Sequence, residues 1–321
     1  YRQVGLEAPR TRLVEVFVNA DRNRTELNYN TDYRGTYVLM EKIKIDGARV
    51  DVDDAIPDPV PGQDPTTVGG YIFKKDKNGA RDVNFSTTGH GGPSIPLKFV
   101  EPQAPTSAQQ AWLTEFVNKF EEVLYSDDYD DPDIGYAKYI DVGSFIDHWL
   151  VTELAKEIDG YRLSEYFFLN RDGKIAQGPA WDFNLSFSNA NYLDGGIWTG
   201  FYADLISGAD YHWYHRLFDD PNFVAKLQDR WFELRETTFS WETLEGKIDD
   251  AVQKLTNGSP NYDKPTAEEG SNPISRNYDR WTTGGYGLHR RHWPNCFFPD
   301  SAGDCRANPL PPEMGQPASA G

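Results

Sequence analysis

Basic residues are scarce in this sequence: 32 Lys and Arg stand against 50 Asp and Glu, leaving a net charge of −18. A field of that sign repels polyanions, which argues against nonspecific binding to nucleic acid or anionic lipid. A phosphate-bearing partner would need local cations, either Lys and Arg side chains or a divalent metal held by carboxylates. Long apolar runs are also missing. The longest, RLVEVFV and YVLMEKIKI, are strand-length and broken by charge, so no membrane span is expected, nor a signal peptide at Tyr1. Only two cysteines occur, Cys296 and Cys305 in CFFPDSAGDC. Their spacing excludes a CxxC-type metal site and suits the ends of a disulfide-closed loop in an oxidising compartment. Internal repeats are absent. What is present is enough apolar surface for a sizeable core, 38% hydrophobic and 14% aromatic over 321 residues, in one large domain or two small ones.

TRLVEVFVN (11–19) and TYVLMEKIKID (36–46) read as paired strands joined by a long polar connection. Alternation along the second sets Glu41 on the more apolar face with Tyr37, Leu39 and Ile43. After a Pro- and Asp-rich loop, GGYIFKKDK (69–77) reads as a further strand and supplies Lys74 and Lys75, one of which is the expected partner of an inward Glu41. Ser107 and Gln110 have capping-box spacing before a helix with Trp112, Phe116, Phe120, Val123 and Leu124 at helical intervals. Ser144 and Asp147 read as the cap of a second helix, with Gly160 closing it. The acidic run SDDYDDPD (126–133) lacks the Gly and terminal Glu of an EF-hand and reads as a solvated turn. Pro221 at an N1 position and Ser240 at a cap announce two later helices. The stretch 256–286 starts loop-like, and the Pro- and Gly-rich tail from 307 reads as frayed.

GPAWDFNLSF (178–187) places Asp182 between Trp181 and Phe183, in a run that otherwise reads as buried. An ionised Asp leaves water only when a cation, a metal or hydrogen-bond donors replace it. YRLSEYFFLN (161–170) and KIAQGPAWDF (174–183) flank RDG, which is hairpin chemistry. A turn centred near Asp172 sets Asp182 opposite residues 161–163, close to Asp159. Strand rise and spacing then bring the two carboxylates within roughly 7–14 Å. That is the scale of a metal–phosphate site or of a glycosidase pair. The plainer alternative is that Asp159 caps a turn while Asp182 accepts backbone N–H bonds. HWYH (212–215) has the spacing for two zinc ligands but shows no third, and Trp198, Tyr202, Tyr211, Trp213 and Tyr214 suit a core better than a binding face.

YRGTYVLMEKIKIDGARVDV, GGYIFKKDK, ELAKEIDGYRLSEYFFLNRDGKIAQGPAWDFNLSFSNANY and LHRRHWPN resemble, in order and spacing, the CotH kinase-like family, named for spore-coat protein H. The resemblance spans most of residues 11–295, and its middle block is the specific part. It implies an α+β, diverged protein-kinase-like fold: an N-terminal antiparallel sheet over 1–105, a mainly helical part over 106–295 and a tail over 296–321. It also implies a secreted or cell-surface protein that transfers phosphate from ATP to protein side chains with magnesium or manganese, acting on a surface or coat protein. Residue by residue, Asp159 matches the catalytic-loop Asp and Asp182 the metal-binding Asp, with Asn184 as a second metal-side ligand. Glu41 and Lys74 match the pair that grips the phosphates, and Trp181 lies beside the nucleotide. Ser164 stands where many members carry Asn, and the family's earlier strands over the nucleotide are not in the sequence given. A noncatalytic assembly protein on the same fold and a glycoside hydrolase using Asp159 and Asp182 are the competing readings.

Overall fold

A computed structural model describes residues 1–19, 26–52, 70–169, 173–256, 273–274 and 276–277. The Cys296–Cys305 loop, Arg171 and Asp172 of the RDG turn, GLHRRHW and the tail lie outside them. The chain divides into two compact units: Tyr1–Pro9 with Lys42–Leu234, and Arg10–Glu41 with the described residues from Arg235 onward.

In the second unit, β1 (Thr11–Phe17) pairs antiparallel with β2 (Tyr33–Met40), which follows the short helix α1 (Tyr29–Asp32). The pairing is the expected one, but β2 ends at Met40, so Glu41 stands just beyond the strand rather than within it. Its carboxylate takes the backbone N–H of Arg10 at 3.0 Å and an ion pair from the Arg10 guanidinium.

The first unit is built on a five-stranded antiparallel sheet in the order β4-β5-β3-β6-β7. Its strands are β3 (Ile72–Lys75), β4 (Asn84–Ser86), β5 (Pro96–Glu101), β6 (Glu165–Leu169) and β7 (Ile175–Gln177). They come from both sides of residue 105, so sheet and helices are interleaved along the chain. The hairpin pairs Phe167 with Gln177, Phe168 with Ala176 and Leu169 with Ile175, the register expected from the turn chemistry. Pleating gives the sheet two unlike faces. Phe73 and Phe167 stack at 5.2 Å on one face, where Phe167 also meets Phe145 and Trp213. The other face carries Ile72, Tyr166 and Phe168, packed with Ile43, Val50 and Val52.

Two helices cover the Phe167 face. In α2 (Ser107–Leu124), Leu113, Val117, Phe120 and Leu124 are buried, while Trp112 and Phe116 stack at the flank. Its capping box is formed by Thr106 and Gln109, one residue before the expected Ser107 and Gln110. The spacing is the same, but Thr106 has the extended backbone a cap needs. Helix α3 (Val142–Ala155) is capped by Asp141, which accepts from Ser144 N–H, and not by Ser144 or Asp147. Ser144 instead bonds Gln177 N–H, and Asp147 pairs with Arg230, so the expected cap residues are spent on tertiary contacts. The Asp141 backbone N–H also donates to Ile175 O, which docks the start of α3 onto β7. The helix ends at Ala155 with Lys156 left-handed, ahead of the expected Gly160. Further on, α4 (His212–Leu217), α5 (Pro221–Glu236) and α6 (Trp241–Thr256) complete the described helices, with Pro221 and Ser240 at the expected starts. No described helix is long and apolar enough to cross a membrane.

Candidate active site

The end of α3 builds the first carboxylate loop. After left-handed Lys156, Glu157 N–H returns to Thr152 O, and Gly160 N–H to Glu157 O at 3.1 Å. Asp159 tops this turn: its carbonyl accepts from Arg162 and Leu163, and its Oδ1 from the Arg162 guanidinium at 3.0 and 3.2 Å. The Arg162 contact supplies the positive charge missing at a helix C-terminus. Gly160 has no room for a side chain, since a Cβ there would stand 2.6 Å from Thr152 Cγ2.

Two buried cations-in-waiting brace the loop from below. Lys75 Nζ donates to Tyr161 O at 3.2 Å, and His148 Nε2 to Gly160 O at 2.9 Å. Because a carbonyl only accepts, that bond fixes the His148 proton on Nε2 and leaves Nδ1 to accept from the Tyr1 hydroxyl. Lys75 lies opposite Glu165 on the helix-covered face of the sheet, where burial lowers the ammonium and raises the carboxyl. Lys74, one residue earlier, points to the other face. Its partner is Asp76 at 2.7 Å, and its ammonium lies 5.1 Å from the Tyr166 ring. Glu41, in the other unit, is bonded to Arg10, and Lys74 to Asp76.

Burial pushes the His148 imidazole down from 6.5 to about 4. The folded protein then binds fewer protons than the unfolded chain between those values, so stability falls with acid across that window and levels below it. The loss is on the order of 3 kcal/mol by pH 4. Urea midpoints from pH 7 to 4 are expected to fall less steeply for His148→Gln than for the wild type, even though the variant starts lower.

The second carboxylate follows β7. At Gly178 (φ 116°) the chain leaves the ladder, and Ala180 N–H donates to Glu7 O at 3.0 Å. Trp181, partly buried, packs on the Tyr166 face of the core, 5.9 Å from that ring. Asp182 is left-handed (φ 59°, ψ 40°) and opens a 3-10 turn, Phe183–Leu185. It is exposed, and among the described residues it makes no hydrogen bond or ion pair. Asn184 is exposed two residues on. Burial raises the Tyr166 hydroxyl, and the charges of Lys74 and Asp182 both act on it.

The donor chemistry can be tested against a metal. Asp182 and Asn184 offer hard oxygens, and no group of three or more His, Cys, Asp or Glu set for a metal occurs among the described residues. Magnesium is commonly held by one or two carboxylates completed by substrate phosphates, and such donors suit it. HWYH is no zinc site: His212 is buried beside Lys75, with Nδ1 3.4 Å from its Nζ, and His215 packs edge-on against Tyr211. Tyr202, Tyr211, Trp213 and Tyr214 are core, whereas Trp198 is exposed.

The sequence singled out Asp159 and Asp182 but not the groups that hold them. Glu157, Glu153, Lys75 and Glu165 are all buried, yet in sequence each looks like a surface charge. Glu153 accepts from Tyr202 N–H, Ala203 N–H and the Tyr161 hydroxyl, tying the segment after the site to α3.

The fold and site together define an α+β protein with two carboxylate-bearing loops, one after α3 and one after β7. The chain belongs to the CotH kinase family, whose model, described as CotH kinase protein, matches residues 1–281, and it is thus a kinase-like protein. No curated protein matches it.

Proposed function

We propose that the protein is a phosphotransferase that uses ATP and a divalent metal to phosphorylate a protein side chain outside the cell or at its surface. The observation that carries this reading is Asp182: an exposed carboxylate in a left-handed turn, without a hydrogen bond or ion pair among the described residues. Structural carboxylates are satisfied by their own fold; this one is presented. Asp182, with Asn184 beside it, would hold magnesium or manganese. Such a metal neutralises phosphate charge that the acidic chain would otherwise repel. Arg162 fixes the orientation of the Asp159 carboxylate, which aligns the acceptor hydroxyl. Asp159 takes the proton of that hydroxyl as its oxygen bonds to phosphorus and the bond to the departing ADP breaks. Lys74, over the Tyr166 ring, supplies a positive charge.

The test is incubation of the chain with labelled ATP and manganese or magnesium, alone and with candidate acceptors, beside Asp159→Ala. The variant is expected to retain nucleotide binding while transfer falls by about 10²–10⁴-fold, the scale of a lost general base. Neither binding nor transfer by the wild type would sink the reading. The competing reading is a noncatalytic member of the fold that binds nucleotide without transfer. Binding without transfer to any acceptor is the result that alternative requires.

A further inference from the structure

One buried carboxylate joins the two loops of the site. Glu157 is 1% exposed, and its Oε1 accepts the backbone N–H of Asp159 at 3.2 Å. Its Oε2 accepts the Ser186 hydroxyl at 2.6 Å, and the backbone N–H of Leu185 is also directed at it. Leu185 and Ser186 are the end of the turn that Asp182 opens. A single side chain thus grips the backbone at one carboxylate and the turn carrying the other. Nearby, Phe187 N–H donates to Ala155 O at 2.6 Å, so the same turn is docked on the end of α3.

The placement is a poor one for stability alone. Burial and the neighbouring Asp159 both disfavour the charge on Glu157, and it faces only neutral donors. An apolar residue would pack there without that cost. What a carboxylate provides, and an apolar residue cannot, is two acceptors fixed in one plane, each holding a different loop.

We infer that Glu157 is a positioning residue that, through Asp159 N–H and Ser186, sets the loop of Asp159 against the loop of Asp182. The inference rests on the phosphotransferase reading for its consequence, but the mechanical tie can be measured without it. The variants are Glu157→Gln, Ser186→Ala and the conservative Ser186→Thr, which keeps the hydroxyl. Hydrogen exchange of the full chain reads the two loops separately. Ser186→Ala is expected to speed exchange at residues 159–163 as well as at 182–187, and Glu157→Gln to speed both, while Ser186→Thr restores wild-type protection. In transfer assays, Glu157→Gln and Ser186→Ala are expected to lower kcat by about 10–100-fold and raise the manganese needed for half-activation, with the acceptor KM unchanged. A helix cap of purely structural importance would lower the unfolding midpoint without that split. Exchange confined to the substituted loop, or unaltered kinetics in an active chain, would overturn the inference. Loops that loosen together in a chain that neither binds nor transfers phosphate would instead overturn the phosphotransferase reading.

Discussion

Asp182→Asn is expected to abolish metal-dependent nucleotide binding and to cut phosphate transfer by about 10²–10³-fold, the cost of losing one fixed electrostatic partner of a transition state. The fold should not notice. Asn tolerates the left-handed backbone that Asp182 adopts, and the carboxylate has no hydrogen bond or ion pair among the described residues to lose. The change in stability is then within about 0.5 kcal/mol, as for other surface substitutions. Calorimetric titration of ATP with manganese, beside a urea unfolding curve, checks both halves. Chelating the metal from the wild type should reproduce the variant, and should add nothing to it. A variant that unfolds earlier, or that still binds nucleotide with metal, would show that Asp182 is structural.

Gly160→Ala is expected to do the opposite, disturbing fold and site together. Its new Cβ would stand 2.6 Å from Thr152 Cγ2 and 3.2 Å from Thr152 Oγ1, against a fully buried, β-branched side chain that cannot swing away. Overpacking of this kind costs about 1–3 kcal/mol. The strain falls on the residue after Asp159 and on the carbonyl that His148 holds, so transfer should fall as well. Thr152→Ser deletes Cγ2 and keeps the hydroxyl. In the Gly160→Ala background it should recover part of both losses, although alone it is mildly destabilising because it removes a buried methyl. A double-mutant cycle on urea midpoints measures the coupling. Additive effects would show that the loop relieves the clash by another route.

The hairpin was the most legible part of the molecule, because turn chemistry fixes register and register fixes which residues face each other. The pairing that the turn predicted holds from Leu169–Ile175 to Phe167–Gln177, where β7 ends. The α+β class and the family resemblance were legible for a related reason: motif blocks retain order and spacing. Helix caps were legible only to within a few residues. Thr106 with Gln109 and Ser107 with Gln110 satisfy one spacing rule, and only backbone conformation separates them. The alternation argument does not reach Glu41, because β2 ends at Met40. Lys74 and Lys75 could not be told apart as partners until β3 was set beside β6, which sends one ammonium to each face. Glu157 was beyond reach. Its burial depends on Ser186, 29 positions away, and a carboxylate in AKEIDG carries no mark of what will cover it.

The departure of β7 from the sheet at Gly178 has a practical meaning for anyone handling the protein. Beyond that glycine, the path towards Asp182 leans on the carbonyl of Glu7, and Phe183 rests edge-on against the ring of Tyr1 at 5.3 Å. Residues 1–9 are therefore scaffolding for the loop that presents Asp182. A substitution that loosens this support, such as Tyr1→Ala, is therefore expected to disturb the loop of Asp182 without altering that residue.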